Sequence, residues 1–280
     1  MASYRFCRTD DIALLVDAYN ACRGSDCVEP ALTVAEFKRD ARELGLWASS
    51  CMLAFEGTTP IAVLLGAKRG DANRIHRIAV STRHQRLGHG RHLVDSLRQK
   101  VAILGPPRLV AEIPEVLDGV CRFFERCGFS PYARFADFVA DASLTVDHRE
   151  AELVSPATVD ELLAAGALDA SLSLAWERSV ASIESRKRDI EGLAIASDER
   201  VEALILFRSV ADGIEILRLS ARRAETLAAL VGALQRRRRG AIVAPKVSPV
   251  EIDFAILEAL GFRRRSEYIG WAADLAPDAT

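Results

Sequence analysis

From Ser81 to Leu93 the chain reads Ser-Thr-Arg-His-Gln-Arg-Leu-Gly-His-Gly-Arg-His-Leu. Gly88 and Gly90 would let backbone N–H groups come close to an anion, and a helix opening there would add the partial positive charge of its N-terminus. Arg83, Arg86 and Arg91 carry the same sign. The chemistry that fits this composition is a cradle for a phosphate or pyrophosphate. A plain turn with a basic rim would have similar residues, so the reading depends on whether a strand precedes the segment and a helix follows it.

Both flanks have those patterns. Arg74–Val80 reads as a strand, and Arg91–Leu104 repeats Leu93, Leu97, Val101 and Leu104 at helical spacing before Gly105-Pro106-Pro107 stops it. Around them the first half reads as a strand at Tyr4–Arg8, a helix capped by Thr9 or Asp10 through Cys22, and a second helix opened by the capping box Thr33-Val34-Ala35-Glu36 and reaching Leu44. Strands follow at Cys51–Phe55 and Ile61–Ala67, joined by a hairpin-like turn. Beyond the helix come a strand at Arg108–Ile113, a helix at Val116–Cys127 and a strand at Phe135–Ala140.

The second half repeats this order. Strands are expected at Glu152–Ser155, Gly192–Ala196, Ala203–Arg208, Ile214–Leu219, Ala241–Lys246 and Tyr268–Ala272, with helices at Thr158–Gly166, Leu172–Glu184, Arg222–Arg238 and Ile252–Leu260. A shift of 133 positions puts Val110-Ala111 on Val243-Ala244, Glu125 on Glu258, Gly128-Phe129 on Gly261-Phe262 and Ala140-Asp141 on Ala273-Asp274. Upstream, matching Val80-Ser81 to Leu219-Ser220 needs a shift of 139, so the second copy is expected to lack six residues, 139 minus 133, within the basic loop. The expected domains are 1–143 and 151–280, joined through the charged stretch Asp141–Ala151. The fold class is α/β, with two tandem domains, each a mixed, mostly antiparallel sheet flanked by helices.

With Ile78-Ala79-Val80 ahead of Gln85-x-x-Gly88-x-Gly90 and a leucine-bearing helix behind, the chain resembles the GNAT superfamily of acyl-CoA N-acyltransferases. A second family landmark, a helix ending in Gly-Phe, is matched by Phe123-Phe124-Glu125-Arg126-Cys127-Gly128-Phe129. The resemblance covers about residues 3–142, and about 151–275 as a degenerate copy. It implies that backbone groups of Ile78, Ala79 and Val80 pair with the pantetheine arm of acetyl-CoA or another acyl-CoA. It also implies that the N–H groups of Arg86, Leu87, Gly88, His89, Gly90 and Arg91 hold the pyrophosphate, with Gln85 in the cofactor site as the signature's first polar residue. His84 and His89 are read as phosphate-side donors or exposed loop residues rather than bases.

The implied reaction is attack of a neutral amine on an acyl thioester, which needs a base, a polarised carbonyl and an acid for the leaving thiolate. The family's usual acid is a Tyr, and Phe124 stands in its place, with Leu257 at the equivalent point of the second copy. Phe124 is read as part of the cofactor site, and Leu117 stands where the family has an Asn. The candidate bases are His76, with an imidazole suited to neutral pH, and Glu112, on the strand that lines the far wall of the family's site. Tyr132 could replace the missing acid. The expected acceptor is an amine of a small molecule. The alternatives are protein or peptide N-acetylation and a non-catalytic acyl-CoA-binding or sensing protein.

The remaining composition bounds these readings. Half of the 280 residues are hydrophobic and the net charge is -2, which suits a soluble globular chain and argues against a nucleic-acid coat protein. The arginines at 236–239 and 263–265 lack interleaved aromatics and read as a helix's last turn and a solvated strand start. Trp47, Trp176 and Trp271 read as core or interface residues. Six cysteines (7, 22, 27, 51, 121 and 127) form no CxxC pair and read as reduced core thiols, with no metal site. The Met1 end carries no apolar leader, and no stretch has the length of a membrane span. The expectation is a cytoplasmic monomer or homodimer with neither a nucleic-acid nor a membrane partner.

Overall fold

The structure, a computed structural model, describes residues 1–24, 30–141, 151–237 and 240–275. Its elements are β1 (Ala2–Phe6), α1 (Ile12–Cys22), α2 (Val34–Leu44), β2 (Met52–Glu56), β3 (Thr59–Lys68), β4 (Asn73–Val80), α3 (His89–Leu104), β5 (Arg108–Pro114), α4 (Asp118–Arg126) and β6 (Ser130–Ala140). They continue with β7 (Ser155–Pro156), α5 (Val159–Ala164), α6 (Val180–Ser185), β8 (Glu191–Ala196), β9 (Val201–Val210), β10 (Gly213–Ala221), α7 (Ala224–Arg237), β11 (Ala241–Val247), α8 (Phe254–Ala259) and β12 (Arg263–Asp274).

The chain divides into two compact units. One comprises Met1–Ile113, Leu117–Tyr132 and Gly270–Thr280; the other comprises Pro114–Val116 and Ala133–Ile269. This differs from the boundary read in the sequence, because each unit takes the end of a strand from the other half of the chain. The cause is pairing. In the second unit, Phe138, Val139 and Ala140 of β6 pair antiparallel with Ala244, Val243 and Ile242 of β11. In the first, the end of β12 runs beside β5, and Leu275 N donates to Pro107 O at 2.6 Å.

In the first unit the strands run in the order β1-β2-β3-β4-β5, antiparallel until β4 and β5, which are parallel. β3 lies at the middle, with Ile61–Leu65 and Ala67 almost wholly buried, because α1 and α3 both pack on it. That double coverage explains its continuous apolar run. The stripe of α3 is confirmed at Leu93, Leu97 and Val101, which are all buried; Leu104 is exposed. Each such burial is worth about 1.5–3 kcal/mol. Thr33 and Glu36 form the expected capping box of α2, and Thr158 and Glu161 form another on α5.

The second unit orders its strands β6-β11-β10-β9-β8-β7, around a core of Leu227, Leu230, Val231 and Leu234 from α7 against Ile205, Phe207, Ile214 and Ile216. Two expectations change here. Leu172–Glu184 is not one helix: a 3-10 turn at Trp176–Arg178 is cut from α6 by Ser179, whose side chain caps Ser182 N. The strand expected at Glu152–Ser155 is instead a 3-10 turn followed by the short β7.

Cys7, Cys22, Cys51, Cys121 and Cys127 are buried free thiols; Cys27 lies outside the described residues, as do 142–150 of the expected linker, Arg238 and Arg239. Burial pushes the Cys7 and Cys51 thiols up to about 12. Trp176 and Trp271 are buried, whereas Trp47 is 59% exposed. Arg263 pairs with Asp141, and Arg264 pairs with Glu258 and Glu267, so these arginines are engaged on their own strands and helix. No helix among the described residues is long and apolar enough to cross a membrane, and no group of three or more His, Cys, Asp or Glu there could hold a metal.

Candidate functional site

The segment after β4 is shaped by its own side chains. Ser81 O accepts from His84 N at 2.8 Å, Ser81 Oγ and His84 Nδ1 lie 2.8 Å apart, and Gln85 Nε2 donates to Val80 O at 3.2 Å. Arg86 (φ +63°) and Gly88 (φ +89°) are left-handed, which curls the chain into α3 two residues earlier than the sequence suggested. Gly88 is the N-cap, where a side chain would find open space but a strained backbone. The first intrahelical bond is His92 N to Gly88 O, so the N–H groups of His89, Gly90 and Arg91 have no partner within the helix. They form the positive pole of a 16-residue helix. Tyr4 pins that turn to β1: its hydroxyl lies 2.6 Å from His89 Nδ1 and its ring 3.9 Å from the His92 ring.

A cavity of about 590 Å³ opens beside this turn. One wall is Ile78, Ala79 and Val80, the end is the loop from His84 to Arg91, and the other wall is Gly119, Val120 and Phe123 of α4. The cavity exists because β4 and β5 pair only at Asn73–Leu109 and Arg74–Val110 and then part. A Cβ at Gly90 would lie 3.4 Å from Phe123 Cζ and 3.5 Å from Val80 Cγ2, ordinary van der Waals contact, so the glycine demanded in this turn is Gly88, by its left-handed backbone.

Of the residues expected to bind cofactor, Ile78, Ala79, Val80, Gln85, Arg86, Gly88, His89, Gly90 and Arg91 all line this cavity. Two do not. Leu87 points to solvent, 66% exposed. Phe124 is wholly buried, packed edge-on between Phe123 and Phe129, because α4 begins at Asp118 and turns Phe123 toward the cavity instead. The lining by Gly119, Val120 and Phe123 was missed; the signal was the helix's phase, which needs its first residue to be known. Tyr132 is likewise outside the lining, stacked with Arg108 at 5.1 Å.

The two candidate bases are far apart in character. Glu112 is not a solvated edge carboxylate. It is buried 3.1 Å from the equally buried Arg74 and bridges the point where β4 and β5 separate. His76 is the extra residue of a β-bulge: Leu65 pairs with Arg77 and Gly66 with Ile75, leaving His76 between. The bulge breaks simple alternation. Arg74 pairs with Ala67 and Ile78 with Leu64, so those two residues face opposite sides, although their spacing implied one face. His76 Nε2 accepts from Arg77 Nε at 3.4 Å and lies 3.8 Å from Asp40 Oδ2. A smaller cavity of about 130 Å³ lies beside Asp40 and Arg77, lined also by Pro30, Leu32, Glu36 and Arg39; neither His76 nor Glu112 lines it or the larger cavity. Burial pushes the Asp40 carboxyl above its ordinary value. Arg77 is held against Tyr19, with its guanidinium 5.3 Å from the ring centroid and Nη1 donating to the hydroxyl at 3.3 Å.

The second half repeats the strands without the loop. Asn73 pairs with Leu109 and Ile214 with Ile242. Leu109 and Ile242 are 133 apart, so Asn73 corresponds to Ile214, a shift of 141. The bulges agree, since the extra residue of β10 is Leu217, again 141 beyond His76. Ile78 therefore matches Leu219, and the deletion is 141 minus 133, eight residues rather than six, the length of 81–88.

Residues 14–129 match the Acetyltransferase (GNAT) family profile. No curated protein matches the chain in sequence. Among solved structures, a GCN5-related N-acetyltransferase from Sphaerobacter thermophilus is 17% identical, with 99% of this chain and 96% of that one covered at a TM-score of 0.69. A tandem GNAT protein from the clavulanic acid biosynthesis pathway is 14% identical, with 99% and 100% covered at a TM-score of 0.66. These likenesses extend the tandem GNAT fold over the whole chain. Residues 14–129 thus form a GNAT acetyltransferase domain, of the family whose members move an acyl group from acyl-CoA.

Proposed function

We propose that the first half binds acetyl-CoA, or another acyl-CoA, and acylates the amine of a small molecule. The observation that carries this is the cavity in which a basic loop, the N-terminal pole of α3 and the strand end Ile78–Val80 meet. The pyrophosphate lies on the N–H groups of His89, Gly90 and Arg91, with Arg86 at the rim. The pantetheine arm runs along Ile78–Val80 against Val120 and Phe123. The acceptor enters the cavity of about 130 Å³ beside Asp40 and Arg77, a volume that suits a small molecule, with His76 3.8 Å behind Asp40. The reaction belongs to the reducing cytoplasm, in keeping with five described cysteines that are all free thiols.

In this reading His76 takes the amine proton. The amine nitrogen bonds to the thioester carbonyl carbon, the carbon–sulfur bond breaks, and the CoA thiolate takes a proton from water. No Tyr lines the cavity among the described residues, which is why water serves as the acid. The test is release of free CoA thiol across a panel of small amines. Release with at least one amine is expected. Tight acyl-CoA binding without release to any amine would favour the acyl-CoA-sensing reading, to which a cavity lining without Tyr among the described residues lends support.

Two substitutions separate the bases. His76→Ala is expected to lower kcat by roughly 10²–10⁴-fold while acetyl-CoA affinity, read by calorimetry, stays intact. Glu112→Gln removes the charge paired with the buried Arg74 and is expected to lower stability by about 3 kcal/mol in denaturant unfolding. Unchanged turnover and pH profile in His76→Ala would exclude it as the base.

A further inference from the structure

We infer that the second half carries the counterpart of the cofactor cleft with the ligand's place taken by the chain's own Arg178–Glu251 pair, which makes it a buried carboxylate receptor with an internal ligand. This rests on the reading that Ile78–Val80 receive the acyl-CoA arm. β10 and β11 pair only from Gly213–Ala241 to Glu215–Val243, as β4 and β5 pair only at their start. Arg178 spans the strands just beyond that point. Its Nη1 donates to Ile216 O on β10 at 2.9 Å and to Pro245 O on β11 at 3.0 Å. Its Nε and Nη2 form a two-pronged bond to Glu251, at 2.7 and 2.6 Å. Both side chains are 1% exposed.

Glu251 Oε1 also accepts from Leu219 N at 2.9 Å. Leu219 is the match of Ile78, which lines the first half's cavity, so in the second half a carboxylate sits on the N–H of the corresponding strand-end residue. Arg218, also buried, stands 3.9 Å from the same oxygen, and its Nη atoms reach Arg178 O and Asp169 O at 3.4 and 3.3 Å. Burial lowers the Arg218 guanidinium's pKa, and Glu251 opposes that shift. Two guanidinium groups thus converge on one carboxylate, a fork geometry that matches a planar carboxylate. The eight missing loop residues remove the phosphate end of the cleft, and this cluster fills the strand end.

The test has two arms. In the first, Glu251→Ala is melted with sodium formate or with sodium chloride at equal ionic strength. A loss in Tm on the order of 10 °C is expected, with saturable recovery by formate alone and none in wild type or in Arg178→Met/Glu251→Leu. Recovery equal in both salts overturns the inference. Should Glu251→Ala not fold, the double variant decides: it is expected to melt above Arg178→Met, and melting at or below that single variant overturns the inference. In the second arm, acetyl-CoA is titrated into wild-type chain by calorimetry. One molecule per chain is expected, and two would overturn the inference. None would overturn the reading of the first cleft, leaving the formate arm to judge this one.

Discussion

A chain ending at Asp147 is expected to aggregate, to lack a cooperative melt and to bind no acetyl-CoA. The strand exchange dictates this. Without Gly270–Asp274, β5 loses its outer neighbour and the buried Trp271 leaves the first unit. Without β11, the stretch 133–140 loses its ladder and exposes Phe135 and Phe138, both buried in the full chain. An unpaired edge beside an exposed apolar strand is an aggregation template. Supplying residues 151–280 on a second chain during refolding is expected to restore a soluble complex with acetyl-CoA affinity. Sedimentation, circular dichroism melting and calorimetric titration read these outcomes. A first half that is monomeric, melts cooperatively and binds acetyl-CoA as tightly as the full chain would overturn the exchange as a requirement for folding.

Gly88→Glu is expected to weaken acetyl-CoA binding by more than about 100-fold, close to 2.8 kcal/mol. Two effects combine. The left-handed backbone at +89° disfavours any L side chain by roughly 1–2 kcal/mol, and the new carboxylate sits where the pole of α3 meets the pyrophosphate. Because a Cβ at position 88 meets nothing within 4 Å, the fold should survive. Gly88→Asn separates the effects, since Asn tolerates this conformation and adds no charge; it is expected to stay within about tenfold of wild type. Equal affinity in a folded Gly88→Glu chain would remove the loop from the cofactor site.

Local features were legible in the sequence and non-local ones were not. The strand–loop–helix order around Gly88 and the capping box at Thr33 depend on residues a few positions apart, and they are where the spacing put them. The bulge at His76 depends on which β3 residue faces which β4 residue, so one sequence cannot show it, and the even spacing of Arg74 and Ile78 does not put them on one face. The repeat offset of 139 failed similarly: matching Val80-Ser81 to Leu219-Ser220 rewarded similar letters, whereas the pairing of the strands requires 141. Phe124 was misplaced by helix phase. The burial of Glu112 needed a partner, Arg74, on a strand that touches β5 for only two residues. The exchange of β6 and β12 was invisible because an apolar strand does not record which sheet it will join.

The exchange also sets a timetable for synthesis. Residues 1–132 leave the ribosome well before Gly270–Asp274, the strand segment that completes their unit. Gly270 lies 138 positions beyond Tyr132. At roughly 5–20 residues per second, the wait is on the order of 7–28 s. Over that interval the growing chain already contains its phosphate loop, but the sheet behind the loop is still short of one neighbour. Gly270–Asp274 thus acts as a completeness check: a polypeptide released before this segment is made lacks, within its own chain, the strand that closes its first unit.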